Sequence, residues 1–308
     1  MDMTVQTVIL AADQHTGEQP MELFITDEHT QYYLSLLSDG GSRGQFTGLG
    51  GLIFILMLFV AVVGIMRGNW EAAYMILESG IPLVVLPFLW ETLRPLPLPI
   101  LFNRRTREVY FDHGGDLFHA PWDGILGLAN EFQLVGAQMG SLQNASLEIR
   151  MWKFEEPETA LMVSLGAPFG KSLALQKSFW EYIRSYMNNG PYFDEHGNHS
   201  ESDAFVKSQL AVRPKMSDCF KHTLAQIKQA KKDAGGRNYL EYGHVVKLIC
   251  EPVLYPQARI QELTYSLAKR RSRNLWPEVV TERLKADGPT TRLVDLENGK
   301  DRVVSKAG

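Results

Sequence analysis

Cysteine is scarce: Cys219 and Cys250 are the only two in 308 residues. They show no CxxC and no metal-ligand spacing, which excludes a disulfide framework or an ordinary zinc site and fits free thiols in a reducing compartment. Strong charge is lacking too. The net charge is −4, and residues 1–45 hold seven acids (Asp2, Asp13, Glu18, Glu22, Asp27, Glu28, Asp39) against Arg43 alone. The rest of the chain is therefore near neutral, with no electrostatic preference for nucleic acid.

A complete catalytic signature is also missing. Gly166-Ala167-Pro168-Phe169-Gly170-Lys171-Ser172 sits between a predicted strand and a predicted helix, the context of a phosphate loop. It has one residue too few between the glycine and Gly-Lys-Ser, Leu165 stands where the first glycine belongs, and Pro168 removes a donor. Ser266-Leu267-Ala268-Lys269 has the spacing of serine acylating enzymes without their companion boxes. Asp112, His113, Asp116, His119 and Asp123, and separately Asp194, Glu195, His196, His199 and Asp203, are metal-type ligands in turn-rich stretches where such side chains are solvated. No cofactor, metal or catalytic residue is assigned, and a non-enzymatic protein is expected.

What the chain does have is two long apolar runs, Gly48–Met66 and Ala72–Trp90, joined by Arg67-Gly68-Asn69-Trp70-Glu71. Each approaches the ~20 residues a helix needs to cross ~30 Å of hydrocarbon, and the first carries no charge. A long polar stretch precedes them, unlike a cleavable leader. The pair reads as a transmembrane hairpin over 46–92, with Trp70 and Trp90 as interfacial anchors. Arg94, Arg104, Arg105 and Arg107 follow it and Arg43 precedes it, against one arginine in the loop, so the positive-inside rule puts both termini in the cytoplasm. In the second helix Pro82 and Pro87 predict kinks. Glu78 lies inside it, either reaching headgroup water or meeting an ion or another membrane protein.

Alternating prolines from Pro95 to Pro99 then exclude helix. Strand patterns follow: ILFN, EVYF, Asp116–Trp122, SLEIRMWKF and ALMVSL. Lys171–Asn189 repeats Leu175, Phe179, Ile183 and Tyr186 at helical spacing, and Asn188-Asn189-Gly190-Pro191 stops it. Strands and then one amphipathic helix predict a β-rich, PH-like cytoplasmic domain over 93–191. Residues 192–288 read as mainly helical, with helices at Met216–Ala234 and Pro256–Arg271 flanking an apolar stretch at Val245–Leu254, which is a buried element or an interfacial segment. Residues 1–45 read as an acidic N-terminal arm and 289–308 as a flexible tail. The fold class is thus an α+β membrane protein with a two-helix transmembrane hairpin, a β-rich PH-like domain and a helical C-terminal region. Trp122 is expected to anchor the strands onto Phe179 and Trp180. Asp123 is expected to cap the next turn or pair with Arg104 or Arg105, and the arginines 104, 105 and 107 to meet anionic headgroups.

The string Phe102–Tyr110 (FNRRTREVY), Ala120-Pro121-Trp122-Asp123, Trp180–Met187 (WEYIRSYM) with Gly190-Pro191, and Trp276-Pro277 resembles an uncharacterised family of two-pass bacterial inner-membrane proteins. The family is known as a domain of unknown function and is often encoded near type VI secretion effectors. The resemblance spans residues 50–280 and brings no catalytic residue with it. It implies an inner-membrane binding protein, an immunity or accessory protein of a type VI effector, whose partners are the lipid bilayer and a secreted effector or similar protein. A homo-oligomer is compatible with this. The alternative is a membrane-anchored adaptor or scaffold of secretion machinery that binds through its cytoplasmic domain.

Overall fold

The computed structural model describes residues 6–38, 43–136, 140–168, 171–211, 219–233, 235, 242–272 and 275–306. The chain divides into two compact units. The first gathers residues 1–41, 97–212 and 275–308, and the second gathers 42–96 and 213–274.

The first unit is built on an antiparallel sheet of β1 (Gln6–Ala11), β2 (Thr26–His29), β3 (Tyr33–Leu36), β4 (Ile100–Asn103), β5 (Glu108–His113), β6 (Asp116–Pro121), β7 (Leu126–Gly136), β8 (Gly140–Lys153) and β9 (Glu156–Ser164). Its order is β1-β7-β8-β6-β5-β4-β3-β2, with β9 also paired to β8. Residues 1–45, expected as an arm, thus supply three strands. β3 pairs with β4 through Leu36↔Ile100 and Leu34↔Phe102, so the apolar hairpin is inserted between two neighbouring strands. The PH-like segment expected at 93–191 is only part of this sheet.

Both faces of the sheet are covered, because alternate side chains point to opposite sides. Ile100, Phe102, Val109 and Trp122 join Phe179, Trp180, Ile183 and Met187 of α3 (Leu173–Asn189) in the main core. Ser172 caps α3 by accepting from Leu175 N–H. Leu101, Tyr110 and Leu117, on the opposite face, pack with Trp276, Val280 of α7 (Glu278–Leu284) and Leu293 of α8 (Leu293–Lys306). The tail expected beyond Pro289 is therefore helical, because Leu293 is fully buried and its N–H has a buried acceptor, described below. Of the region 192–288, α4 (Ala204–Ala211) and α7 belong to this unit.

The second unit holds α1 (Gln45–Met66) and α2 (Trp70–Leu93), joined by a tight turn at Gly68, together with α5 (Cys219–Asp233) and α6 (Tyr242–Arg271). Two helices here are long and apolar enough to cross a membrane, Gln45–Met66 with mean hydropathy 2.8 and Ala73–Leu93 with 1.6, and only 17% and 11% of these windows is buried. The buried Glu91 of α2 closes the start of α1, accepting from Gly44 N–H (3.0 Å), Thr47 N–H (2.9 Å) and the Thr47 hydroxyl. Arg43 answers by donating to the carbonyls of Glu91, Arg94 and Pro95 at the end of α2. These groups are the orphan donors and acceptors of the two helix ends. α6 runs as one helix through both the Val245–Leu254 stretch and Pro256–Arg271 and packs on α1. There Gly48 and Gly51 of α1 leave room for Gln257 and Ile260 of α6. The side chains of Cys219 and Cys250 lie outside the described residues.

Candidate functional site

On the first unit, a cleft of about 640 Å³ opens between the β1 end, the β6–β7 turn and α3. It is lined by Asp13, Arg107, Trp122, Asp123, Arg184 and Asn188 among others. Arg107, held in a left-handed conformation (φ 52°), donates to Asp123 (2.8 Å), to the Met187 carbonyl and to Asn188 Oδ1. Asn188 Oδ1 also accepts from Trp122 Nε1 (2.8 Å), and its amide donates to the Ala12 carbonyl. One asparagine thus ties the expected aromatic anchor, the arginine and β1 together. Arg292 reaches the other oxygen of Asp123 at 2.9 Å. The Arg107 hydrogen bond, reinforced by Arg292, holds the Asp123 carboxyl below the usual carboxylate range. Arg184 leans on the fully buried Glu181, which also accepts from Thr16 N–H and so fastens the β1–β2 connection to α3.

Three of the expected contact residues, Arg107, Trp122 and Asp123, therefore meet at one place. Trp122 packs against Trp180 with the rings tilted and 5.4 Å apart, and meets Phe102 edge-on. Asp123 pairs with Arg107 and Arg292, not with Arg104 or Arg105. Arg105 donates to the Lys285 and Gly288 carbonyls and covers the Tyr32 ring, and Arg104 lies against Gly190 with one buried nitrogen lacking a hydrogen bond. All three guanidinium groups, expected at headgroups, turn into their own unit. Glu78 stands apart on α2 in the second unit, exposed.

A second constellation forms around His119, which was expected to be solvated and is instead buried on β6; its carboxylate partners went unnoticed in the sequence. Glu108, fully buried, accepts from Leu293 N–H (2.8 Å), Val294 N–H and the Tyr110 hydroxyl. His119 lies 3.6 Å from Glu108 and 3.2 Å from Glu297 of α8. Burial and the neighbouring Glu108 push the Tyr110 phenol well above its ordinary pKa, so it stays a donor. With Asn103 donating to the Arg283 carbonyl, the stretch from Asn103 to Glu108 forms a receptor for the chain's own C-terminal segment.

The remaining ligand types do not converge: no group of three or more His, Cys, Asp or Glu able to hold a metal ion occurs among the described residues. Asp116 pairs with Lys153, and Asp194 accepts from the backbone of its own turn. At the near-miss phosphate loop, Phe169 and Gly170 lie outside the described residues. Lys171 turns inward beside Gly166, its ammonium donating no hydrogen bond among the described residues, and burial lowers its pKa against the opposing pull of Glu22. Comparison with family models, with curated proteins and with solved structures returns no match to the chain.

Proposed function

We propose that this chain is a two-pass protein of the bacterial inner membrane that works by binding another protein. The observation that carries the reading is the exposure of the hairpin. Core helices of soluble proteins hide their apolar side chains, whereas here Phe59 is 71% and Leu86 65% exposed, and α1 and α2 offer apolar residues on nearly every outward position. Such a surface is stable in lipid and aggregates in water. The arginines flanking the hairpin favour cytoplasmic termini. The strands followed by α3 across one sheet face support a PH-like core within the larger sheet.

The resemblance makes the most concrete version an immunity or accessory protein of a type VI effector, with the hairpin meeting a toxin that acts in the same membrane. The adaptor reading is favoured by the cleft around Arg107 and Asp123, which gives the sheet unit a polar recess of its own. Replacing residues 48–92 by an unrelated two-helix hairpin of equal length separates the two. Loss of protection against the neighbouring effector, with the protein still in the membrane, supports recognition through the hairpin. Protection that survives the swap moves recognition to the sheet unit, and a gene deletion that sensitises cells to no neighbouring effector overturns the immunity reading.

A further inference from the structure

Glu78 lies eight residues into α2, about 12 Å from its Trp70 end at the rise of a helix. Its side chain is exposed between Tyr74 (67% exposed) and Ile81 (51%). It has no hydrogen bond or ion pair among the described residues. Pro82, four residues on, has no N–H, so the helix cannot supply the donor that the Glu78 carbonyl would ordinarily receive. The adjacent Ser79 offers no help, since its hydroxyl donates to the Met75 and Ile76 carbonyls. Two acceptors without a hydrogen-bond donor among the described residues therefore gather at one level of α2, one turn from the Tyr74 hydroxyl, while the exposed face of α1 over Leu52–Met66 carries only apolar side chains.

Lipid tails donate nothing, so a carboxylate at this depth is costly and gains from a donor-bearing partner. A second copy in the same orientation brings no cation to this depth, and the nearest donor on the same face is the Tyr74 hydroxyl one turn away. Between Gly44 and Leu93 its single cation is Arg67, at the hairpin turn, about two helical turns away from Glu78 along the membrane normal. Thr47 and Thr92, the threonines of the hairpin, bond Glu91 and the Phe88 carbonyl at the far end.

We infer that Glu78 and the carbonyl freed by Pro82 form an acceptor site on the outer face of α2 for a lysine or arginine carried by a membrane-crossing helix of another protein. The site rests on the membrane-spanning reading above and gives it a partner chemistry. The exposed face of α2, not that of α1, is then the recognition face.

The test uses the full chain in lipid nanodiscs, with synthetic leucine-alanine transmembrane peptides as probes. One peptide carries a single lysine at the depth of Glu78, one carries leucine there, and one carries glutamate. Energy transfer from a label at the hairpin turn reports association. The lysine peptide is expected to bind about tenfold more tightly than the leucine peptide. Glu78→Leu abolishes that difference, and Glu78→Lys transfers the preference to the glutamate peptide. Equal binding of all three peptides overturns the site, and so does self-association lost in Glu78→Leu without any lysine preference, which would assign the face to a second copy. Retention in the bilayer after an alkaline wash is scored in parallel. A chain that washes off contradicts the spanning reading itself, whereas a retained chain without lysine preference contradicts only the site. Helix content by circular dichroism, unchanged in both variants, shows that the hairpin still forms.

Discussion

Gly50 of α1 lies directly against the backbone carbonyl of Leu83 in α2, so closely that a Cβ at Gly50 would stand 2.1 Å from that oxygen. The carbonyl is available because Pro87, four residues further on, has no N–H to offer it. A glycine Cα–H facing it is a weak donor, and better than none where the helix offers no N–H. Gly50→Ala must push backbone against backbone, with an expected cost of ~1–3 kcal/mol. Gly64→Ala is the control, since its Cβ would meet only the Asn69 carbonyl at 3.5 Å. Thermal unfolding in detergent should show a Tm several degrees lower for the first variant and little change for the second.

Glu108 is the buried cap of the C-terminal helix, and removing it leaves the Leu293 and Val294 N–H groups without their acceptor, while the Tyr110 hydroxyl keeps Thr106 as a partner. Glu108→Ala should weaken docking of residues 275–306 by at least ~2 kcal/mol. Hydrogen exchange is expected to accelerate in α7 and α8 while α3 keeps its protection. Uniform acceleration over the whole sheet unit would mean that Glu108 supports the sheet and not the segment.

His29 gives the sheet unit a pH dependence of known sign. Its Nδ1 meets the Tyr182 hydroxyl at 2.9 Å and its Nε2 the Pro191 carbonyl at 2.6 Å. Burial lowers its pKa below the ordinary 6.5, with the Pro191 hydrogen bond opposing. Between the folded and unfolded pKa values the unfolded chain binds more protons, so stability rises with pH there. This contribution is complete above pH ~6.5 and declines as pH falls through that value. Denaturant midpoints should drop from pH 7.5 to 5.5 in the wild type and drop less in His29→Gln.

The elements that local pattern can announce were legible in the sequence. Gly48–Met66 and Ala72–Trp90 fall within α1 and α2, and Lys171–Asn189 contains α3, because apolar length and a 3.6-residue period are local signals. β4, β5, β6, β9 and the second half of β8 were likewise readable. β7, with glycine and polar residues along LGLANEFQLVG, was not. β1 to β3 were hidden by the acidic composition around them and by pairings of long sequence separation, such as Leu36 with Ile100. The same holds for the site. Trp122 announced itself as an aromatic anchor, but nothing local joins Asp123 to Arg292 or Glu108 to Leu293. Asn188, legible only as part of a helix stop, turned out to hold Trp122, Arg107 and Ala12 together.

The central claim is that α1 and α2 cross a bilayer with both flanks on one side. It is tested most directly by labelling single cysteines with a membrane-impermeant maleimide, after Cys219 and Cys250 are replaced by serine. Asn69→Cys at the hairpin turn should label from outside intact cells freed of their outer membrane, while Asp116→Cys in the sheet unit should label only after lysis. Labelling of both from the same side, or of neither before lysis, would contradict the account.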